Sequence, residues 1–185
     1  MKFSILTAAL FALSTNALTI VPRDLQTIKG VFDLIQGDII DSTNKAVAWL
    51  TDPNPPEALL DSATKLINDV KDSKGVVEPT SKLSLADTLQ LVTPVQELNK
   101  KAEALRSAFK DLRPKFSKDN VCDIVRDQFT ILYDGGQALI DTIMSKVPPV
   151  AISVAKPQAD KFIKTLNDAK VDFNEQNCID AIDQE

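Results

Sequence analysis

Residues 24–50 read DLQTIKGVFDLIQGDIIDSTNKAVAWL, and apolar side chains recur in this stretch at every third or fourth position. This spacing matches the turn of an α-helix and predicts one long helix with a single apolar stripe. Proline cannot continue the helical hydrogen-bond ladder, so Pro53, Pro55 and Pro56 are expected to end the helix. The predicted stripe consists of Leu25, Ile28, Phe32, Ile35, Ile39, Thr43, Val47 and Leu50.

The remainder of the chain shows the same periodicity between clusters of proline, and no strand-like alternation persists for more than a few residues. The predicted fold class is therefore all-α, an antiparallel bundle of about five helices. Gly135 and Gly136 fall inside the fourth helix, which we expect to be continuous because the apolar period resumes in phase beyond them. A break at this pair is the alternative. The later helices are predicted to begin near Pro56, Ser84, Lys118 and Val150, and to end near Lys74, Arg113, Val147 and Phe173.

The first 17 residues have the features of a secretory signal peptide. Lys2 precedes an apolar run from Phe3 to Leu13, and the small side chains of Thr15 and Ala17 suit cleavage after Ala17. The run is shorter than the roughly 20 residues that a membrane-spanning helix needs, and no transmembrane segment is expected. The sequence thus predicts a secreted, extracellular protein with a signal peptide at residues 1–17 and one helical-bundle domain at residues 18–185.

The composition excludes several classes of function. The chain has no histidine, so a Ser-His-Asp or Cys-His catalytic site cannot be built, and the usual zinc sites are excluded as well. Its net charge of −5 does not favour a nucleic-acid partner. Acidic pairs at helical spacing, such as Glu57 with Asp61, are typical of solvated faces rather than of a glycosidase cleft. We expect no enzymatic activity, no cofactor and no metal.

Cys122 and Cys178 are the two cysteines of the chain. In an exported protein such a pair is expected to form one disulfide. The alternative is a reactive thiol, but no histidine is present to lower the pKa of either side chain.

The predicted interior is aliphatic, since Trp49 and Tyr133 are each the single residue of their type. Helical bundles can hold a ligand between their helices, and a bundle with Pro94 and a Gly-Gly pair inside its helices can keep an apolar tunnel open. The alternative is that the apolar stripes form an ordinary packed core.

One segment opposes the acidic average, because basic side chains outnumber acidic ones between Asn99 and Lys118. This segment is expected to be either an ordinary solvated face or a contact with anionic lipid head groups or an acidic cell-wall polymer. Its basic residues are Lys100, Lys101, Arg106, Lys110, Arg113, Lys115 and Lys118.

Several short motifs resemble those of the fungal hydrophobic surface-binding protein A family, also described as cell-wall galactomannoproteins. The leader runs into Val21-Pro22-Arg23-Asp24, and the fourth predicted helix starts with Cys122-Asp-Ile-Val125. Ser145-Lys-Val-Pro148 connects this helix to the fifth, beyond which Cys178 lies. The resemblance covers nearly the whole chain. It implies a small secreted or wall-associated helical protein without enzymatic activity.

Two functions are expected from this resemblance. In the first, the protein binds long-chain fatty acids or similar lipids in an apolar tunnel between its helices. In the second, it has no internal ligand and adsorbs to hydrophobic surfaces, where it recruits secreted lytic enzymes. For the first function, the inner stripes supply the expected walls: Phe32, Ile35, Ile39, Leu89, Val92, Val125, Phe129, Leu132, Ile143, Phe162 and Leu166.

Four polar side chains lie on or beside these stripes and are candidates to anchor the head group of a lipid. They are Thr43, Thr88, Gln128 and Tyr133. The alternative is structural, because a threonine hydroxyl can bond to the carbonyl one turn earlier and the longer side chains can reach the edge of the bundle.

Overall fold

The computed structural model describes residues 23–184, so the signal peptide predicted at residues 1–17 lies outside the described part of the chain. Every regular element between these limits is helical, which confirms the all-α prediction. Two single turns of 3-10 helix, Pro149–Ala151 and Ala181–Gln184, accompany the α-helices. The α-helices are α1 (Arg23–Trp49), α2 (Glu57–Val77), α3 (Leu85–Asp111), α4 (Arg113–Lys118), α5 (Cys122–Lys146) and α6 (Ile152–Asp172).

Local sequence signals explain where these helices begin and continue. Ser84 and Asp87 form a reciprocal capping box at the start of α3, in which each side chain bonds to the backbone N–H of the other residue. Helix α5 runs without a break through Gly135 and Gly136, as predicted. The short α4 was not predicted; Pro114 lies in its first turn, where proline needs no N–H and is compatible with helix.

The five long helices form a closed ring in the order α1, α2, α5, α6, α3 and back to α1. Lys29 Nζ lies 3.2 Å from Gln90 Oε1, and Lys101 Nζ lies 2.9 Å from Gln36 Oε1, so the neighbours α1 and α3 run in the same direction. Helices α1, α3 and α6 point one way and α2 and α5 the other. Consecutive long helices are therefore antiparallel along the chain, as predicted, and the core lies on the axis of the ring.

One end of the ring, the looped end, is covered by the connection between α2 and α3. This connection crosses the last turn of α5, where Lys146 Nζ donates to the carbonyl oxygens of Glu78 at 2.7 Å and Thr80 at 2.8 Å. The N–H of Leu83 donates in turn to the carbonyl of Lys146 at 2.8 Å. The N–H of Leu83 thus satisfies an orphan carbonyl at the end of α5, and these contacts fix where α3 begins.

The opposite end, the stapled end, combines a disulfide with a cluster of aromatic rings. Cys122 and Cys178 are bonded, which confirms the predicted bridge, and they tie the start of α5 to the segment that follows α6. Arg126 donates to the carbonyls of Phe173 and Cys178 and holds the same segment. The rings of the cluster belong to Trp49, Phe109, Phe116, Phe129 and Phe173.

The last two turns of α1 differ from the predicted stripe. Val47 and Leu50 are about half exposed, whereas Ala46 and Trp49 are buried. A helix turns once every 3.6 residues, so a stripe extended in steps of four drifts off the buried face. Trp49 instead enters the aromatic cluster, where its ring centroid lies 5.3 Å from that of Phe116.

Within residues 23–184, no single helix is both long enough and apolar enough to cross a membrane. Cys122–Lys146 and Pro149–Asp172 reach that threshold only as a pair, bent by 119° at the break between them.

Candidate functional site

Three small cavities lie inside the ring. The central cavity has a volume of about 20 Å³ and is bordered by all five long helices, including Ile35, Val70, Ala102, Leu139 and Phe162. The looped-end cavity, about 40 Å³, lies between α3, α5 and α6. A third cavity of about 20 Å³, which we call the Ser42 cavity, lies on the side of the stapled end.

These cavities follow one another along the axis of the bundle. Phe32 and Ile140 separate the central cavity from the looped-end cavity, since both side chains border both spaces. Leu66, Leu105 and Phe129 likewise border both the central and the Ser42 cavity. From residue 88 to residue 109 of α3 the series extends about 30 Å, at 1.5 Å per residue. This is about twice the thickness of one acyl layer of a bilayer, which is about 15 Å.

The side chains that border the series are almost entirely aliphatic or aromatic, so ordered water would find few hydrogen-bond partners there. Each cavity has room for only about one to three water molecules. The small cavities would join into one channel if the separating side chains rotated aside. Leucine, isoleucine and phenylalanine can do this without leaving a polar group unpaired.

Gly136 allows α6 to pack closely over the middle of α5. A Cβ atom at this position would lie 2.5 Å from Cδ1 of Leu166, which borders the central cavity. At Gly135 the nearest atoms would lie at 3.5 Å, which is ordinary van der Waals contact. The missing side chain at Gly136 thus gives Leu166 its place against the cavity.

Most of the predicted wall residues border this series. Val125 is buried in the core but borders none of the three cavities. Leu89, also predicted to be a wall residue, is 50% exposed and likewise borders none of the three cavities. The neighbouring Leu91 is buried and borders the looped-end cavity, because α3 is rotated relative to the predicted stripe. The bordering residues are Phe32, Ile35, Ile39, Val92, Phe129, Leu132, Ile143, Phe162 and Leu166.

Of the four candidate anchors, Gln128 and Thr88 border cavities. Gln128 borders the Ser42 cavity and donates through Nε2 to Thr64 Oγ1 at 3.3 Å. The hydroxyls of Thr88 and Thr43 donate to carbonyls one turn earlier, at 3.0 Å and 2.7 Å. This is the structural role that was the alternative to anchoring a head group. Tyr133 lies outside the series, in a surface groove between α5 and α6.

Sequence reasoning missed Ser42, which is completely buried and borders the cavity named after it. Ser42 lies three residues after Ile39, a spacing that places both on one face of α1. The predicted stripe of α1 continues through Thr43 instead. Arg106 was also missed as a wall residue, although its side chain borders the central cavity.

The basic segment, which spans the end of α3 and all of α4, is largely occupied by contacts within the protein. Arg106 donates to Asp172 at 2.6 Å and to Asp168 at 3.1 Å, and Arg113 donates to the carbonyl of Asp172. The hydrogen bond that Arg106 donates to Asp172 raises the pKa of Arg106, and the hydrogen bond that Lys164 donates to Asp168 lowers the pKa of Asp168. These contacts tie α3 to α6 and favour the structural reading of the segment.

The surface groove between α5 and α6 leads toward the interior. Ile140, Met144 and Ala159 border both this groove and the looped-end cavity. Displacing these side chains would open the series of cavities to solvent. In residues 23–184 no group of three or more acidic, cysteine or histidine side chains is placed to hold a metal ion.

The chain is similar to proteins of known identity. Cell wall mannoprotein 1 of Aspergillus fumigatus is 28% identical over 160 residues, which cover 84% of this chain and 54% of that protein. The chain thus spans about half the length of this relative.

Two solved structures have a similar fold. Ligand-binding domain 1 of the Penicillium marneffei MP1 protein, complexed with arachidonic acids, matches with a TM-score of 0.77 at 20% identity over 82% of this chain and 99% of that one. AFMP4P in complex with palmitic acid matches with a TM-score of 0.74 at 17% identity over 81% of this chain and 99% of that one.

The sequence model of one family, described as hydrophobic surface binding protein A, matches residues 25–145. This range runs from the first turn of α1 to the last turn of α5, and so includes nearly all of four of the five helices of the ring. The chain belongs to the hydrophobic surface binding protein A family.

Proposed function

We propose that this protein is a secreted, non-catalytic carrier that binds a long-chain fatty acid or similar lipid along the axis of its helical ring. The observation that carries the proposal is the series of apolar cavities bordered by all five long helices. The fatty acids in the two similar structures support it, since both proteins share this fold.

Apolar burial supplies the favourable free energy for this function. Each methylene group transferred from water contributes about 0.8 kcal/mol, so a dozen of them contribute about 10 kcal/mol before the costs of binding are subtracted. Part of this is offset by the rotation of side chains such as Phe32 and Ile140 that separate the cavities. Micromolar binding corresponds to about 8 kcal/mol, so the gross contribution is of this order before the costs of binding are subtracted.

The proposal is tested by native mass spectrometry of residues 18–185 after incubation with palmitic or arachidonic acid. We expect a fixed stoichiometry in solution, and a bare mass under denaturing conditions. Absence of any complex with either acid would overturn the proposal.

A matched pair of variants on α3 tests whether the ligand occupies the central cavity. Ala102 is buried against the central cavity, whereas Ala104 is exposed on the same helix. Ala102→Leu fills the cavity and is expected to weaken palmitic acid binding at least tenfold, while Ala104→Leu leaves it unchanged. Thermal unfolding of both variants checks that they fold, since overpacking can cost about 1–3 kcal/mol. Unchanged binding by folded Ala102→Leu would exclude the central cavity.

Adsorption to hydrophobic surfaces is a second candidate function, and exposed apolar side chains at the looped end favour it. Helices α3 and α6 both begin there, and the turn at Pro149–Ala151 contacts α3. An adsorbing protein covers a hydrophobic surface up to a limit set by the surface area, and it forms no complex in solution. If the bundle has to open to adsorb, an engineered disulfide between two helices should reduce this coverage. The exposed side chains are Leu85, Leu89, Val150, Ile152 and Val154.

The place of action and the macromolecular partners are part of the proposal. We infer that the protein acts outside the cell, free or in the cell wall, in keeping with the name of its Aspergillus relative. A cell-wall polymer or a secreted hydrolase is the proposed partner for the adsorbing function. Immunoblots of culture medium and of washed wall fractions would show where the protein resides, and detection only inside the cell would overturn this inference.

A further inference from the structure

The Ser42 cavity holds two polar atoms without a hydrogen-bond partner. One is the hydroxyl Oγ of Ser42, a residue with no exposed surface, and the other is Oε1 of Gln128. Both residues border the same cavity. The other unpartnered atoms in the described part of the chain belong to Asp38, Ser73 and Asn99, which border none of the three cavities.

A buried polar atom without a partner is costly and calls for an explanation. The amide of Gln128 is already oriented, because its Nε2 donates to Thr64 Oγ1 at 3.3 Å. Its Oε1 is therefore an acceptor, while the hydroxyl of Ser42 can donate. A head group that accepts one hydrogen bond and donates another would satisfy both residues.

The cavity offers no charge to such a head group, since none of its bordering side chains is ionisable. Two charged groups on the flanking helices are paired elsewhere: Asp38 with Lys65 at 2.5 Å, and Arg106 with Asp172 at 2.6 Å. An ionised carboxylate would lose its hydration there without gaining a cation, which disfavours the charged form.

On these grounds, and resting on the proposed function, we propose that the Ser42 cavity binds the head group of the lipid in a neutral form. The head group is an un-ionised carboxylic acid or an alcohol; it accepts from Ser42 Oγ and donates to Gln128 Oε1. The acyl chain runs from there through the central cavity toward the looped end. Ser42 and Gln128 are thus the residues that bind the head group.

Ser42→Ala tests this assignment, and Ser73→Ala is its matched control. Both serines are buried in helices, and both hydroxyls lack a partner. The probes are 1-hexadecanol and hexadecane, which share one chain and differ in the head group, together with palmitic acid. Affinities are measured by displacement of a fluorescent apolar dye from the delipidated protein.

In Ser42→Ala we expect 1-hexadecanol and palmitic acid to bind about fivefold more weakly, the effect of one lost hydrogen bond. Hexadecane should bind as it does to the parent protein, and Ser73→Ala should bind all three probes unchanged. Without ligand, Ser42→Ala should be as stable as the parent or more stable, because it removes an unsatisfied hydroxyl. A merely structural role of Ser42 would not separate the alcohol from the alkane.

The contrary outcomes are distinguishable. Equal weakening of hexadecane, or no weakening of any probe, would overturn the assignment of Ser42 while leaving the lipid carrier intact. Weakening of palmitate alone, with 1-hexadecanol unaffected, would show that the site takes an anion and would overturn the neutral form. Failure of the parent protein to bind any of the three probes would overturn the proposed function, and this inference with it.

Discussion

The stapled end and the middle of the bundle are built from the same helices but differ in how their interiors are filled. At the stapled end aromatic rings touch one another; those of Phe129 and Phe173 stack with centroids 4.9 Å apart, and a disulfide closes the structure beside them. In the middle, single side chains such as Phe32 and Ile140 separate small cavities bordered mainly by aliphatic residues.

Because of this difference, we expect one region to stabilise the fold and the other to bind the ligand. Rings that touch on several sides cannot move independently, so the stapled end resists deformation. Aliphatic side chains next to empty space have fewer contacts to lose and can rotate at lower cost. We therefore expect the stapled end to hold the helices in register while the middle opens for a ligand. The following predictions are ordered from the largest expected effect to the smallest.

Removing the disulfide should have the largest effect on stability. The bridge between Cys122 and Cys178 spans 56 residues, and a loop of that length is expected to contribute about 4 kcal/mol. We expect the double variant Cys122→Ala/Cys178→Ala to lose about this much free energy of unfolding in urea titrations. Palmitic acid binding by the molecules that remain folded should change little. A large loss of affinity without a loss of stability would contradict the division between the two regions.

Truncating one large side chain in each region tests whether the ligand stabilises the middle of the bundle more than the stapled end. Phe173→Ala, in the aromatic cluster, should lose about 3–5 kcal/mol, and Leu139→Ala, beside the central cavity, about 2–3 kcal/mol. Saturating palmitic acid should restore much of the stability of Leu139→Ala, because the ligand fills the space that the substitution leaves. It should restore no extra stability to Phe173→Ala. Thermal unfolding with and without ligand measures both effects, and equal restoration would contradict a deformable middle.

The two adjacent glycines of α5 provide a finer test. Replacing a helical glycine with alanine is worth about 1 kcal/mol of helix propensity. Gly135→Ala should realise this gain, whereas Gly136→Ala should not, because its Cβ would displace Leu166. Gly136→Ala should also weaken palmitic acid binding by pushing Leu166 into the cavity. Equal stabilisation by both substitutions would show that the middle has more free space than the structure indicates.

The smallest expected effect concerns acid stability where α3 meets α6. Hydrogen bonding and charge from Lys164, and then from Arg106, lower the pKa of Asp168. A carboxyl whose pKa is lowered by folding stabilises the protein above its unfolded value of about 4, and this contribution is lost as the pH falls through the folded value. Asp168→Asn should therefore be less stable at pH 7 by up to about 1 kcal/mol, and should approach the parent near pH 2. A difference that persists unchanged at pH 2 would point to packing rather than charge.

Much of the fold could be predicted from the sequence because its signals are local. The period of apolar residues in α1, the capping box at Ser84 and the paired cysteines each depend on near neighbours or on composition alone. The helix through Gly135 and Gly136 was predicted in the same way, since the period on one side of the pair matched that on the other.

The candidate site was less predictable, because it depends on how the helices are rotated against one another. Leu89 has the correct spacing for an inner stripe yet faces outward, and Ser42, next to the favoured Thr43, faces the cavity. The apolar residues of an amphipathic helix cover a wide arc of its surface, and the sequence does not show which edge of that arc faces the axis of the bundle.

By itself the sequence determined that this protein is a helical bundle with one disulfide and no histidine chemistry, since helical period and residue type are properties of the chain. Only the tertiary structure decided that the five long helices close into a ring, that aromatic side chains gather at one end, and that the middle keeps its cavities. The physical reason is that empty space arises from contacts between residues far apart in the chain, and no local pattern records whether two distant side chains meet or leave a gap.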